Sequence, residues 1–190
     1  MFDYSHILMT AALLQLPILL PGLVFIAAIK QGWLLWLNTP IDRGLTLFGR
    51  PIFGANKTWR APVFYVVGAT VVSAALHWLW PIGIGHFRVF TAPPWLLGPA
   101  IGVSYSAGEL INSFVKRRLD VEAGVHAQSK VARFTQRTAD TVDGAITSGL
   151  VYLALGVDLR VLATSLVLTV LIHNSTDALM RRLGLKQRHK

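Results

Sequence analysis

Residues 7–29 read ILMTAALLQLPILLPGLVFIAAI, 23 residues from Ile7 to Ile29 without one charged side chain. At about 1.5 Å per residue a helix of this length crosses a hydrocarbon core with some tilt. Pro17 and Pro21 predict kinks within it. No Lys or Arg precedes the run, and it is longer than the apolar region of a secretory signal, so it is expected to be a membrane span rather than a cleaved leader.

The rest of the chain agrees. Of its 190 residues 53% are hydrophobic and only 14% are charged, against about 25% charged in soluble domains. Four further apolar segments, at about 61–80, 94–115, 142–157 and 159–180, follow the first span at about 7–29. The fourth is short, and His173, Asn174, Ser175 and Asp177 interrupt the fifth, as is tolerated where a helix faces protein or a water-filled cavity. The expected fold class is an all-α integral membrane protein, a single membrane domain over 1–190 with five transmembrane helices.

Charge sorting sets the orientation. Of 18 Lys and Arg, 16 fall in segment 30–60, segment 116–140 or the C-terminal tail, leaving only Arg88 and Arg160 for the other side. Cytoplasmic loops carry the excess of cations. This predicts cytoplasmic loops at 30–60 and 116–140, the N-terminus outside, the C-terminus cytoplasmic, and a multi-pass protein of the plasma (inner) membrane. All six Trp fall in loops or at segment ends, as an interfacial belt requires. The net charge of +9 is then a consequence of topology and calls for no nucleic-acid partner. With no Cys there is no disulfide or thiolate chemistry, the six His show no metal-ligand spacing, and no internal repeat of the kind found in transporters is visible.

Ionised groups at membrane depth usually pair, bind a ligand or do chemistry. Gly108 to Arg118 reads GELINSFVKRR, placing Glu109, Asn112, Ser113 and Lys116 on one helical stripe. Asp140 to Gly144 reads DTVDG, and Asp140 and Asp143 project from adjacent turns of one face. Two carboxylates so arranged can hold a Mg²⁺ beside substrate phosphates, and Glu109 can complete the set from the neighbouring helix. The plainer reading makes Asp140 and Asp143 helix N-terminal acids, pairs Glu109 with a rim cation, and leaves Lys116, Arg117 and Arg118 as topology signals.

A third polar stretch, Gly49-Arg-Pro-Ile-Phe-Gly54-Ala-Asn56-Lys57-Thr58-Trp-Arg60, lies in the first cytoplasmic segment. Glycines beside Asn, Lys, Thr and Arg make an anion cradle, because Gly lets backbone N–H groups approach phosphate. It is not a Walker A loop: two residues separate Gly54 from Lys57, and no preceding strand is expected.

Taken in order, these motifs resemble the CDP-archaeol synthase family, small five-helix relatives of the CDP-diacylglycerol synthases (phosphatidate cytidylyltransferases). The resemblance runs from about residue 38 to the C-terminus. It is carried by Pro-Ile-Asp-x-Gly at 40–44, Phe-Gly-x-Asn-Lys-Thr-Trp-Arg at 53–60, Ser-Phe-Val-Lys-Arg-Arg-Leu at 113–119 and Asp-x-x-Asp at 140–143, with His-Asn-Ser-Thr-Asp at 173–177 and Leu-Gly-Leu-Lys at 183–186. It implies a nucleotidyltransferase of phospholipid biosynthesis that moves CMP from CTP to a membrane lipid phosphate with Mg²⁺, releasing pyrophosphate.

The resemblance further implies catalytic roles for Asp140, Asp143 and Lys116, with Asp140, Asp143 and Glu109 at the metal. It implies substrate binding by Asn56, Lys57, Thr58, Arg60, Ser113 and Arg117. Archaeal members usually carry Asp, Asp and Lys where this chain has Ala55, Glu109 and Asn112. The loss of a carboxylate at Ala55 motivates an alternative, a non-catalytic nucleotide- or lipid-binding relative acting as a regulator or partner. The sequence leaves the oligomeric state open.

Overall fold

A computed structural model of the chain describes residues 4–79, 88–122 and 130–182. Five helices carry it: α1 (Tyr4–Lys30), α2 (Arg60–Leu79), α3 (Pro94–Arg118), α4 (Lys130–Ala154) and α5 (Leu159–Arg182). An antiparallel hairpin of two-residue strands, β1 (Thr46–Leu47) and β2 (Arg50–Pro51), lies between α1 and α2. The motif at 183–186 and Trp80 lie outside the described residues.

Both α1 and α2 are long and apolar enough to cross a membrane, and α5 contains a shorter apolar stretch, Leu159–Ser175. Pro17 and Pro21 are buried within α1 and do not end it. Each helix packs on its successor, and α5 returns onto α1, so the five helices form a ring. Leu14, Ala69, Phe90, Ile101, Tyr152 and Val161 belong to its core. Outside the ring Val67, Val103, Ile111, Val167 and Leu171 are exposed, an apolar surface that water disfavours and lipid tails accept. Trp59 directly precedes α2, Trp78 is its penultimate residue, and Trp95 is the second residue of α3; all three are exposed.

The tightest seam joins α2 to α3. Gly98 and Gly102 face the α2 main chain one turn apart, and a Cβ on Gly102 would lie 2.6 Å from the Cα of Val66. Small residues spaced by four let the two backbones approach and gain dispersion contact. This spacing fixes α3, and with it the polar stripe at its end.

Two expectations need correction. Residues 130–140, read from the sequence as loop, are helical, because α4 begins at Lys130. Asp140 and Asp143 therefore sit well inside a helix, which removes their reading as helix N-terminal acids. A strand does precede the glycine loop: β2 ends at Pro51, and Phe48 and Gly49 (φ 53° and 74°) form the two-residue turn, with positive φ at both positions, that closes the hairpin.

Candidate active site

The chain from Thr39 to Arg60 folds back on itself. Ile41 N–H donates to the Lys57 carbonyl (2.9 Å) and Trp59 N–H to the Thr39 carbonyl (3.2 Å), while Lys57 N–H closes a turn onto Gly54 (3.0 Å). The buried carboxylate of Asp42 organises this loop. Its Oδ1 accepts from Gly44 N–H (3.0 Å), and its Oδ2 accepts from Phe53 and Gly54 N–H (2.9 Å each). Burial opposes the charge, but these backbone donors outweigh it and hold the carboxyl below its ordinary range. The loop leads directly into the first turn of α2, whose helix dipole favours an anion.

Arginines at the end of α3 fasten the loop from beneath. Arg118 donates to the carbonyls of Leu47 (2.5 Å), Arg50 (3.1 Å) and Pro51 (2.6 Å) and stacks on Phe114, with its Cζ 5.0 Å from the ring centre. Arg50 replies, donating to the Arg118 carbonyl (2.6 Å) and to Asp120 (2.7 Å). Arg117, buried, donates to the carbonyls of Phe53 (3.2 Å) and Val121. Planar guanidinium groups with several fixed donors suit such multiple carbonyl bonding.

On the stripe of α3, the Asn112 amide nitrogen donates to both Asp140 and Asp143 at 2.6 Å, and the Lys116 ammonium pairs with Asp140. α3 and α4 come this close because Gly108 lies against the main-chain carbonyl of Asp143, leaving no room there for a Cβ. Glu109 turns the other way, to Lys57 at 2.8 Å.

Two cavities meet at Glu109. One, of about 400 Å³, is lined by Asn38, Asn56, Lys57, Thr58, Arg60 and the first turn of α2. The other, of about 550 Å³, runs between α1, α4 and α5 and is mostly apolar, with Glu109, Asp140, Tyr65 and Tyr105 at its polar end. The Tyr65 and Tyr105 rings lie 4.4 Å apart and form the boundary between polar rim and apolar cleft.

The predicted site residues thus divide into three groups. Asn56, Lys57 and Thr58 line the loop cavity together with Arg60, whose Nη2 donates to the Ala28 carbonyl (2.6 Å) while its buried Nε has no partner among the described residues. Asp140, Asp143, Asn112 and Lys116 form one cluster, with Ser113 buried nearby on α3. Arg117 spends two of its donors on main-chain carbonyls. The expected three-acid set does not assemble: among the described residues no three metal-binding side chains gather, and Glu109 is held by Lys57. Asp140 and Asp143 alone still fit a Mg²⁺, since one nitrogen already bridges both carboxylates and this ion commonly takes one or two carboxylates plus phosphate and water. Sequence reasoning missed the roles of Asp42, Arg118 and the tyrosine pair as site-building residues.

With this geometry in hand, comparison with known proteins is decisive. The family model described as CarS-like, CDP-archaeol synthase matches residues 7–189. The chain belongs to this family. Its members are nucleotidyltransferases, and so is this enzyme. A CDP-archaeol synthase of Halobacterium salinarum is 30% identical over 157 residues, covering 77% of this chain and 81% of that one. One of Staphylothermus marinus is 28% identical over 145 residues, covering 74% and 72%. One of Pyrococcus abyssi is 37% identical over 91 residues, 47% of this chain, and the match spans only 52% of that relative's length. A solved chain described as an intramembrane enzyme for archaeal membrane lipids biosynthesis superposes with a TM-score of 0.63 over 88% of this chain and 92% of its own, at 23% identity, which establishes the shared fold.

Proposed function

We propose that this chain is a CTP-dependent cytidylyltransferase that converts a membrane lipid phosphate of the archaetidic or phosphatidic acid type into a CDP-lipid. The observation that carries this reading is the meeting of two cavities of opposite character at Glu109: a cationic loop cavity suited to a nucleotide, and an apolar cleft suited to a lipid. The CDP-archaeol synthase names of the relatives support it. In this reading all five helices span the inner membrane as a single domain, with both cavities' polar ends on the cytoplasmic face.

In the reaction, an oxygen of the lipid phosphate attacks the α-phosphorus of CTP while the bond to the β-phosphate breaks, and pyrophosphate leaves with the electron pair. Little covalent help is needed; positioning and charge stabilisation decide the rate. Asn56, Lys57, Thr58, Arg60 and the α2 N-terminus bind the β- and γ-phosphates. Lys116 and Ser113 face the reacting centre from α3, and Arg117 and Asp42 hold the loop in place. Asp140 and Asp143 would hold Mg²⁺, which when bound neutralises charge on the triphosphate.

The test supplies membranes containing the protein with Mg²⁺, labelled CTP and archaetidic or phosphatidic acid. CDP-lipid and pyrophosphate are expected with one acceptor, and Asp143→Ala is expected to abolish both. Full turnover in that variant rejects the metal assignment.

A further inference from the structure

A polar network crosses the apolar cleft as a floor partway along α5, short of Leu159, Leu162 and Leu153, which also line it. On the far side from Asp140, the Gln15 side-chain amide of α1 donates to the Ser165 carbonyl of α5 (2.9 Å) and to the Ser165 hydroxyl, and the Thr169 hydroxyl lies within donating distance of both Gln15 Oε1 and the Ser165 carbonyl (3.0 Å each). Beside it the Tyr152 hydroxyl of α4 donates to the Leu14 carbonyl (3.0 Å). An amide in hydrocarbon must find such partners. Any point along the α1–α5 seam would satisfy that need, yet Gln15, Ser165, Thr169 and Tyr152 all line the cleft.

The depth of this floor follows from two independent helices. On α1, Gly22 lies at the Tyr65 hydroxyl, and Gln15 is seven residues further in, roughly 10 Å at 1.5 Å per residue. On α4, Gly144 lies on the Tyr105 ring, and Tyr152 is eight residues further in, roughly 12 Å. The two agree. Between tyrosines and floor the wall is mostly apolar, interrupted on α4 by Ser148, and Leu23, Ile146 and Leu150 line it while remaining about half exposed, so the cleft opens sideways to the bilayer.

We propose that Gln15, held by Ser165 and Thr169, sets how deeply a hydrocarbon chain of the acceptor lipid lies in the α1–α4–α5 cleft, and so selects among acceptors by chain length and branching. This rests on the lipid-phosphate reading above and adds its specificity determinant. A chain enters beside the tyrosines and runs along the mostly apolar wall to the polar network, where further methylenes meet Gln15, Ser165 and Thr169 instead of carbon. Methylenes that fill the cleft gain fixed packing contacts, and those outside it meet only lipid.

Two measurements test this. First, the full-length protein in phosphatidylcholine vesicles without CTP is irradiated with a dialkylglycerol phosphate carrying a mid-chain diazirine. Label is expected on the α1 and α5 peptides around Gln15 and Ser165; label on the separate α1–α2 groove at Val67 and Val71, or spread evenly over the outer surface, overturns the proposal. Because no turnover is read, this outcome is independent of whether cytidylyl transfer occurs. Second, acceptors of increasing chain length are compared. The wild-type KM for the acceptor should fall with chain length and then level off, and Gln15→Ala should move the break to longer chains by at least two carbons while the KM for CTP stays within twofold. Thr169→Val, which keeps the volume and removes one bond to Gln15, should move the break the same way and guards against misfolding. Unmoved breaks in both variants reject the floor assignment.

Discussion

The Lys57 ammonium lies 2.8 Å from the Glu109 carboxylate, joining the glycine loop to α3 at the junction of the two cavities. Each side chain is only about a quarter exposed, 24% and 26%, so the pair is partly desolvated, and removing one member strands the other. The pair has two uses that a variant can separate: it anchors the loop, and its cation faces the space assigned to the triphosphate.

Exchanging the charges tests both uses. Lys57→Met alone should cost roughly 1–3 kcal/mol of stability, between an exposed and a fully buried pair, and should weaken CTP binding at least tenfold. The double exchange Lys57→Glu with Glu109→Lys should recover most of the thermal stability and none of the CTP affinity. Melting in detergent and titration calorimetry read the two separately. Recovered affinity in the double variant would show that the pair contributes only its contact.

The extent to which the sequence disclosed this arrangement varies by element. α1 was legible because an uncharged run of its length has few alternatives in water or lipid. The start of α4 was not: Lys130, Arg133, Arg137 and Asp140 precede its apolar part, so hydropathy placed the segment at 142 although helical hydrogen bonding continues from Lys130. The stripe at Glu109, Asn112 and Lys116 was legible from helical spacing, but its partners were not. Nothing local says that Glu109 leaves the acids for Lys57, 52 positions away. Likewise Arg117 and Arg118 read as topology signals or phosphate ligands, because their main-chain acceptors in the loop are chosen by tertiary packing. Gly49 at the second position of a two-residue turn was the available hint of the hairpin, obscured by Phe48 before it.

Asp42 makes a pH-dependent contribution whose sign is fixed. Its carboxyl titrates below the ordinary value of 3.8 in the folded protein, so the ionised form favours folding. This stability is fully present above the unfolded value and is lost as pH falls below 3.8 through the folded one. Asp42→Asn turns an N–H₂ group toward backbone donors and should cost about 1–3 kcal/mol at neutral pH. The difference in melting temperature between wild type and variant should be constant from pH 7 to pH 5 and should shrink only below pH 4. Hydrogen exchange at Gly44, Phe53 and Gly54 should accelerate in the variant; unchanged exchange would remove Asp42 from its loop-organising role.

Gly108 tests whether the spacing of α3 and α4 controls the chemistry. A Cβ at this position overlaps the carbonyl of Asp143 and the hydroxyl of Thr147, one of them main chain, so the helices must separate. Overpacking of this kind costs about 1–3 kcal/mol, and the displacement falls on the residue whose carboxylate shares the Asn112 amide with Asp140. Gly108→Ala should therefore lower kcat at least tenfold, with the KM for CTP changed less than threefold, since α1, segment 38–60, the first turn of α2 and the opposite face of α3 line the loop cavity, and no described residue of α4 does. By contrast Gly149, also on α4, has open space where its Cβ would be because it lines the apolar cleft, so Gly149→Ala should leave the α3–α4 spacing intact, with kcat at saturating acceptor and the KM for CTP near wild type and only the KM for the acceptor altered. Equal behaviour of the two alanine variants would mean that the α3–α4 approach at Asp143 does not limit the reaction.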